Sequence, residues 1–418
     1  LLDAARQYGD MVFFEMPRTP VYFINHPDLI RRVLLDNHHA YNKDTIQYNS
    51  LAEVSGRGLL TSDGAFWLRQ RRLEQPAFSR QRLQALDTVI VPAAAKMLER
   101  WEKACRAGEP LDVDGEMMRL ALEIVGKALF SIDLSNDAPR LTEAVLQALD
   151  HIVERIRNPI GAPSFLLTPR KMRFKLAIST LDATVYQMIA ERVDSERYGD
   201  DLLGMLLKAR DSESGEPLTR EQVRDELITI LIAGHETVAS ALTWTFYLLA
   251  KHPQTWEKLG AEVGTVLSGR LPATADLDNL PFTASLFDEA LRLYPPAWII
   301  TRKAVEADQI GGYDVPPGAL VLISPYTIHR HAEFWQRPEE FWPERFVQGG
   351  GAQRFAYIPF GGGPRLCIGN QFALIEGRMI IAMVAQRFQL KLTDRPVHMD
   401  ALVTLRPKGG LHLTVERV

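Results

Sequence analysis

Between Leu227 and Ala250 the chain is almost uninterruptedly apolar, long enough to span a bilayer. The centre of that run is His235-Glu236-Thr237, which would be costly in lipid. A buried helix crossing the middle of a large soluble protein accommodates both facts. Thr219 and Gln222 give a capping-box start, and Lys251-His252-Pro253 gives a stop. About 32 residues at 1.5 Å each make roughly 48 Å, enough to cross a whole domain. The polar cluster at its centre is not a zinc motif, because H-E-x-x-H needs a second His where Ala239 stands. It is either a stray polar patch in a core helix or an acid beside an alcohol, placed to hand protons to a bound oxygen ligand.

The rest of the chain reads as mostly helix with a little sheet. Val21 to Ile24 suggests a strand, Pro27 to Leu35 a helix, and residues 40–62 a loop leading to a helix with Trp67 and Arg71. Amphipathic helices follow from about 83 to 155, a loop over 158–170, and a short helix from Leu202 to Leu207. Further helices are expected over 254–268 and 281–294. A β region is expected over 297–324, and a closing hairpin over 386–416 with Gly409-Gly410 as its turn. Length alone suggests about two or three domains, but no linker separates the parts. The expected fold is therefore mainly α with small β-sheets (α+β), as a single domain over 1–418.

A formal net charge of −4 argues against nucleic-acid binding. Two cysteines fit a reducing compartment, and no signal peptide opens the chain. A cytoplasmic protein that is not integral to the membrane is expected, although a short leader before Leu1 stays open.

Those two cysteines exclude a disulfide framework and any four-Cys zinc or iron–sulfur site. Cys367 lies in Phe360-Gly361-Gly362-Gly363-Pro364-Arg365-Leu366-Cys367-Ile368-Gly369, ahead of a helix-like run from Asn370. A lone thiol is usually inert and buried. A thiol entering a helix is instead expected to ionise more easily, and glycines let backbone pass close to a flat ligand. A single-thiolate metal site is what remains, and haem iron accepts one such ligand.

The pattern F-x-x-G-x-R-x-C-x-G, met at Phe360, Gly363, Arg365, Cys367 and Gly369, resembles the haem-binding loop of the cytochrome P-450 superfamily. The resemblance implies a haem b cofactor with Cys367 as its iron ligand, and a long central helix lying over the haem with the Cys loop beneath. Arg365 is then expected on a haem propionate. Ala233-Gly234-His235-Glu236-Thr237 resembles the family's oxygen-activating motif. It implies that Gly234 opens a groove, Glu236 feeds a proton path and Thr237 holds dioxygen and water. Trp67 and Arg71 resemble the W-x-x-x-R element that binds propionate, and Arg302 fits a second such contact. Glu289, Arg292 and Arg345 resemble the family's structural ion network, drawn from E-x-x-R and P-E-R-F. With no flavin or ferredoxin segment after the Cys loop, electrons are expected from a separate ferredoxin or flavin reductase system, or peroxide substitutes.

The segments expected to line a substrate pocket carry no charge: Leu51, Leu59, Leu60, Ile232, Ala233, Trp298, Ile299, Ile300, Leu402 and Val403. A neutral hydrophobic substrate follows. The stretches from Gly234 to Trp244 and from Ala290 to Ile299 are similar to the bacterial branch that hydroxylates carotenoids at the ring. Fatty acids are the alternative substrate, with Lys43 or Arg57 as anchor; terpenoids, a peroxygenase and a non-enzymatic haem-thiolate sensor are the other readings.

Overall fold

The computed structural model describes residues 1–16, 19–157, 168–210, 215–347 and 353–418. Its organising element is the helix Arg220–Lys251. The Thr219 hydroxyl accepts from the Gln222 N–H at 3.1 Å, and the Gln222 side chain accepts from the Thr219 N–H at 2.9 Å. Both ends fall where the sequence signals put them. By length and composition this helix could cross a membrane, but 83% of its apolar window is buried inside the protein. Its apolar residues are taken up by neighbours, chiefly the helix Val113–Phe130, which is buried along most of its length.

The chain is 59% helical with small sheets, so the expected mainly α fold is what forms. The helices Pro281–Leu293 and Asn370–Ala385 also pack against the long helix. A five-stranded sheet stands beside them, ordered Met11–Met16, Thr19–Ile24, Leu320–Ile323, Ile300–Ala304, Tyr41–Asn42. Only the Thr19–Ile24 and Leu320–Ile323 pair is parallel; the rest are antiparallel.

Three local expectations need correction. The region 40–62 is not a plain loop: it holds the helix Ile46–Ser55, capped by the Thr45 hydroxyl. The helix begun at Pro27 stops at Arg31 and continues as a wider π-type turn, Arg32–Asp36. The closing hairpin pairs Phe388–Leu392 with His412–Arg417, but Gly409-Gly410 is not its turn. Those glycines join Leu405–Pro407, which belongs to a separate two-stranded sheet, to the last strand. Most of the loop expected over 158–170 lies outside the described residues, except its end, where Thr168 caps the helix Pro169–Asp194.

Candidate active site

The Cys367 segment and the centre of the long helix both line one cavity of about 340 Å³. A separate concavity among Asp44, Asn49, Glu53, Arg155 and Lys303 carries none of the motif residues. Cys367, Phe360, Gly369 and Arg365 line it from the Cys segment; Ile232, Ala233, Gly234, Glu236 and Thr237 line it from the long helix. Trp67, Arg71 and Arg302 also border it.

The Cys367 N–H donates to the Phe360 carbonyl at 3.0 Å, which closes the loop around the thiol. Cys367 is exposed, yet protein packs densely around it. Its exposure is to the cavity it borders rather than to bulk water, so the two facts agree. Burial pushes the thiol above its usual range, and the Gly369 N–H and the Arg71 guanidinium only partly oppose this. The expectation of an easily ionised free thiol is therefore overturned. The helix starts only at Asn370, and the pull of a helix end fades within its first turn. A cation at the sulfur would draw the proton off.

Gly363 does not line the cavity. Its φ is +67°, and a Cβ there would fall 1.8 Å from the Leu34 carbonyl oxygen. Close approach to protein backbone, rather than to a flat ligand, is what requires glycine here. Gly363→Ala is expected to lower stability by roughly 2 kcal/mol, measured as a fall in melting temperature.

Cations gather at one part of the wall. Arg365 donates to the Ser62 carbonyl at 2.7 Å and to Asp63 at 2.6 Å, and stacks 3.8 Å from the centre of the Trp67 ring. Arg302 donates to the Tyr48 hydroxyl at 3.2 Å. Buried Lys43 donates to the Leu60 carbonyl at 2.6 Å. Burial holds Arg365 down to about 10 despite Asp63. Burial, then Arg302 and Arg365, hold the Lys43 amine well below its usual range. Lys43 and Arg365 thus share Asp63 with Arg302 close by, and the group favours an anionic guest. Arg71 is placed differently: it donates to the Leu366 carbonyl at 3.0 Å, next to Cys367. Sequence reading treated Lys43 only as a fatty-acid anchor, because its nearness to Arg302 arises from distant segments.

The residues fit haem. One thiol, apolar walls and a cation group suit a flat iron macrocycle bearing carboxylates. Among the described residues, no group of three or more His, Cys, Asp or Glu side chains comes together to hold a metal.

On the long helix, the Thr237 hydroxyl donates to the Ala233 carbonyl at 2.7 Å, leaving its oxygen able to accept. Glu236 is buried and accepts from the Thr404 hydroxyl at 2.7 Å; Arg406 lies 3.9 Å away. Burial pushes its carboxyl up, against Arg406 and Thr404. A Cβ at Gly234 would sit 2.9 Å from Val125, so glycine preserves space where both residues line the cavity.

Of the expected pocket residues, Leu51, Leu59, Leu60, Ile232, Ala233, Ile299, Ile300 and Val403 line the cavity. Trp298 and Leu402 do not: the Trp298 indole donates to the Leu402 carbonyl at 2.9 Å, and the two brace each other. Phe78, Val125, Leu129, Phe287 and Phe372 line it as well; in the sequence they look like any buried apolar residue. Arg57 does not border the cavity and stacks on Phe66 instead.

Glu289, Arg292 and Arg345 meet in a buried network. Arg292 donates to both Glu289 oxygens, at 2.7 and 2.8 Å, and to the His329, Pro338 and Glu340 carbonyls. Arg345 donates to Glu289 at 3.1 Å. His329 ties this network to the Cys segment, accepting from the Ile358 N–H at 2.8 Å while its other ring nitrogen faces the Arg292 carbonyl at 3.1 Å. Burial holds this imidazole well below its usual range, which keeps it neutral for that double duty.

Comparison with known proteins places this arrangement. The family model described as Cytochrome P450 matches residues 1–414. Cyclooctatin synthase of Streptomyces melanosporofaciens is 37% identical over 97% of this chain and 87% of its own length. Pentalenene oxygenase of Streptomyces avermitilis is 33% identical over 97% and 90%. The chloroplastic carotene epsilon-monooxygenase of Arabidopsis thaliana is 32% identical over 98% and 80%.

Proposed function

The chain belongs to the cytochrome P450 family and is an oxygenase, and on that premise we propose that it hydroxylates a neutral terpenoid hydrocarbon or a close derivative. One observation carries the reading. Of the four cations that line the cavity among the described residues, Lys43, Arg302 and Arg365 gather where they suit haem carboxylates, Arg71 is tied to the Leu366 carbonyl beside Cys367, and most of the remaining lining is apolar. A fatty acid would need a cation outside that group; Arg71 is already bonded to the Leu366 carbonyl, and Arg57 is not at the cavity. The three relatives, named for cyclooctatin, pentalenene and carotene, support the terpenoid class. A carotenoid is the narrower form of the proposal.

In this reading the residues 1–418 form one haem-thiolate domain, and Cys367 is the iron ligand. Arg365, Arg302 and Lys43 hold the haem carboxylates, with Trp67 stacked beneath Arg365. Arg71 secures the Cys loop through Leu366. When bound, haem supplies the activation of dioxygen and the transfer of one oxygen atom to a C–H bond. The Leu and Ile side chains of the lining exclude water and orient the substrate. Thr237 accepts hydrogen bonds at the cavity wall, and Glu236 gives a proton there. A ferredoxin or flavin reductase supplies electrons from outside the chain.

Glu236→Gln is expected to slow turnover about 100-fold and to divert electrons from product to peroxide, read by comparing product with reductant consumed. To test the substrate class, the haem-loaded protein is titrated with a cyclic terpene hydrocarbon, β-carotene and a long-chain fatty acid while the iron spin state is followed. A shift with the terpenoids supports the proposal. A shift with the fatty acid alone contradicts it.

A further inference from the structure

The Glu236 carboxyl is held by a part of the fold that the family motif does not include. The Leu405 carbonyl is gripped by two side chains of the long helix, the Ser240 hydroxyl at 2.6 Å and the Trp244 indole at 2.8 Å. The Leu405 N–H is fixed by the Pro296 carbonyl at 3.0 Å. This pins the strand Leu405–Pro407 to the helix. Residues on either side of a strand position share a face, and Thr404 and Arg406 both turn to Glu236. Behind Arg406, Asp114 of the helix Val113–Phe130 accepts from its guanidinium at 2.6 Å, and Thr243 lies 3.3 Å from the other Asp114 oxygen. All these groups are buried.

We propose that Thr404 and the Arg406–Asp114 ion pair are positioning residues for Glu236, holding its carboxyl in place and setting how firmly it keeps the proton it gives to the cavity. The proposal rests on the reading of Glu236 as proton donor.

The geometry assigns each member a direction. The Thr404 hydroxyl donates to one Glu236 oxygen, which favours the carboxylate and leaves the acid proton to the other oxygen. Arg406, at 3.9 Å, also favours the carboxylate. Asp114 opposes both, because its charge offsets Arg406 and repels a second carboxylate. His235, beside Glu236 on the long helix, is pushed down to about 3 by burial and then Arg406, so it stays neutral and adds no charge. Arg406 itself cannot relay a proton; its part is electrostatic.

Two conservative variants should therefore move Glu236 in opposite directions. Thr404→Val removes a donor to the carboxylate and should raise the pH at which Glu236 ionises. Asp114→Asn leaves Arg406 less offset and should lower it. Shifts of roughly one pH unit are expected. The first readout is the infrared carbonyl band of protonated Glu236, identified by its loss in Glu236→Gln and titrated without turnover. The second is the alkaline limb of the pH–rate profile, which falls as Glu236 loses its proton and should move with the band. Opposed shifts support the proposal. Unmoved bands, or bands moving the same way, in variants that keep the parent melting temperature overturn it. A Glu236→Gln protein with parental turnover would sink the donor reading instead, whatever the bands do. Thr404→Val is close to isosteric, so its result stands even if Asp114→Asn fails to fold.

Discussion

Cys367→Ser is expected to remove essentially all oxygenase activity, a loss of at least about a thousandfold, or roughly 4 kcal/mol of barrier. Cys367 lines the same cavity as Glu236 and Thr237. Serine keeps the shape but replaces a thiol with a hydroxyl, which holds its proton far more tightly and is a poor partner for haem iron. Cys105 is no substitute, because it sits in the helix Asp87–Ala107 and does not border the cavity. The check is product formation together with haem content of the purified variant. A variant with parental turnover would move the iron ligand elsewhere.

The second large effect is expected at Arg292. Its side chain is fully buried, and five hydrogen bonds converge on it. Among the described residues, Arg292→Leu would leave Glu289 with Arg345 and the Trp342 N–H, and would strip the cation from three carbonyls. Removing one partner of a buried ion pair costs about 3–5 kcal/mol, which for a chain of this size corresponds to a fall of roughly 4–6 °C in melting temperature. Haem retention should fall with it, since His329 couples the network to Ile358, just before the Cys loop. Lys208→Ala is the control: its pair with Asp200 is exposed and 3.5 Å long, so no measurable change is expected. An Arg292→Leu protein as stable as the parent would contradict the structural role.

What the sequence made legible follows from what is local. The ends of the long helix depend on Thr219, Gln222 and Pro253, each close to the backbone it affects, and they were placed correctly. The helix Ile46–Ser55 was missed because its composition is mixed and its cap is a single Thr45. The short strand Tyr41–Asn42 is set by its pairing with Ile300–Ala304, which no local pattern announces.

The site divides in the same way. Motif spacing singled out Cys367, Glu236, Thr237 and Arg365, and all four reach one cavity. The Thr404, Arg406 and Asp114 cluster around the Glu236 carboxyl comes from two distant segments and carries no motif. The same holds for the meeting of Lys43 with Arg302 and Arg365. The direction of the Cys367 thiol was misjudged because burial outweighs a helix end that begins three residues later. Trp298 and Leu402 were misplaced because apolar character says that a residue turns inward without saying toward which space.

The account stands on Cys367 binding haem iron as a thiolate. The most direct test is the absorption spectrum of the reduced, haem-loaded protein under carbon monoxide. Thiolate ligation predicts the strongly red-shifted Soret band that it alone gives to such a complex. An unshifted band typical of histidine ligation, in protein that is folded and full of haem, would contradict it.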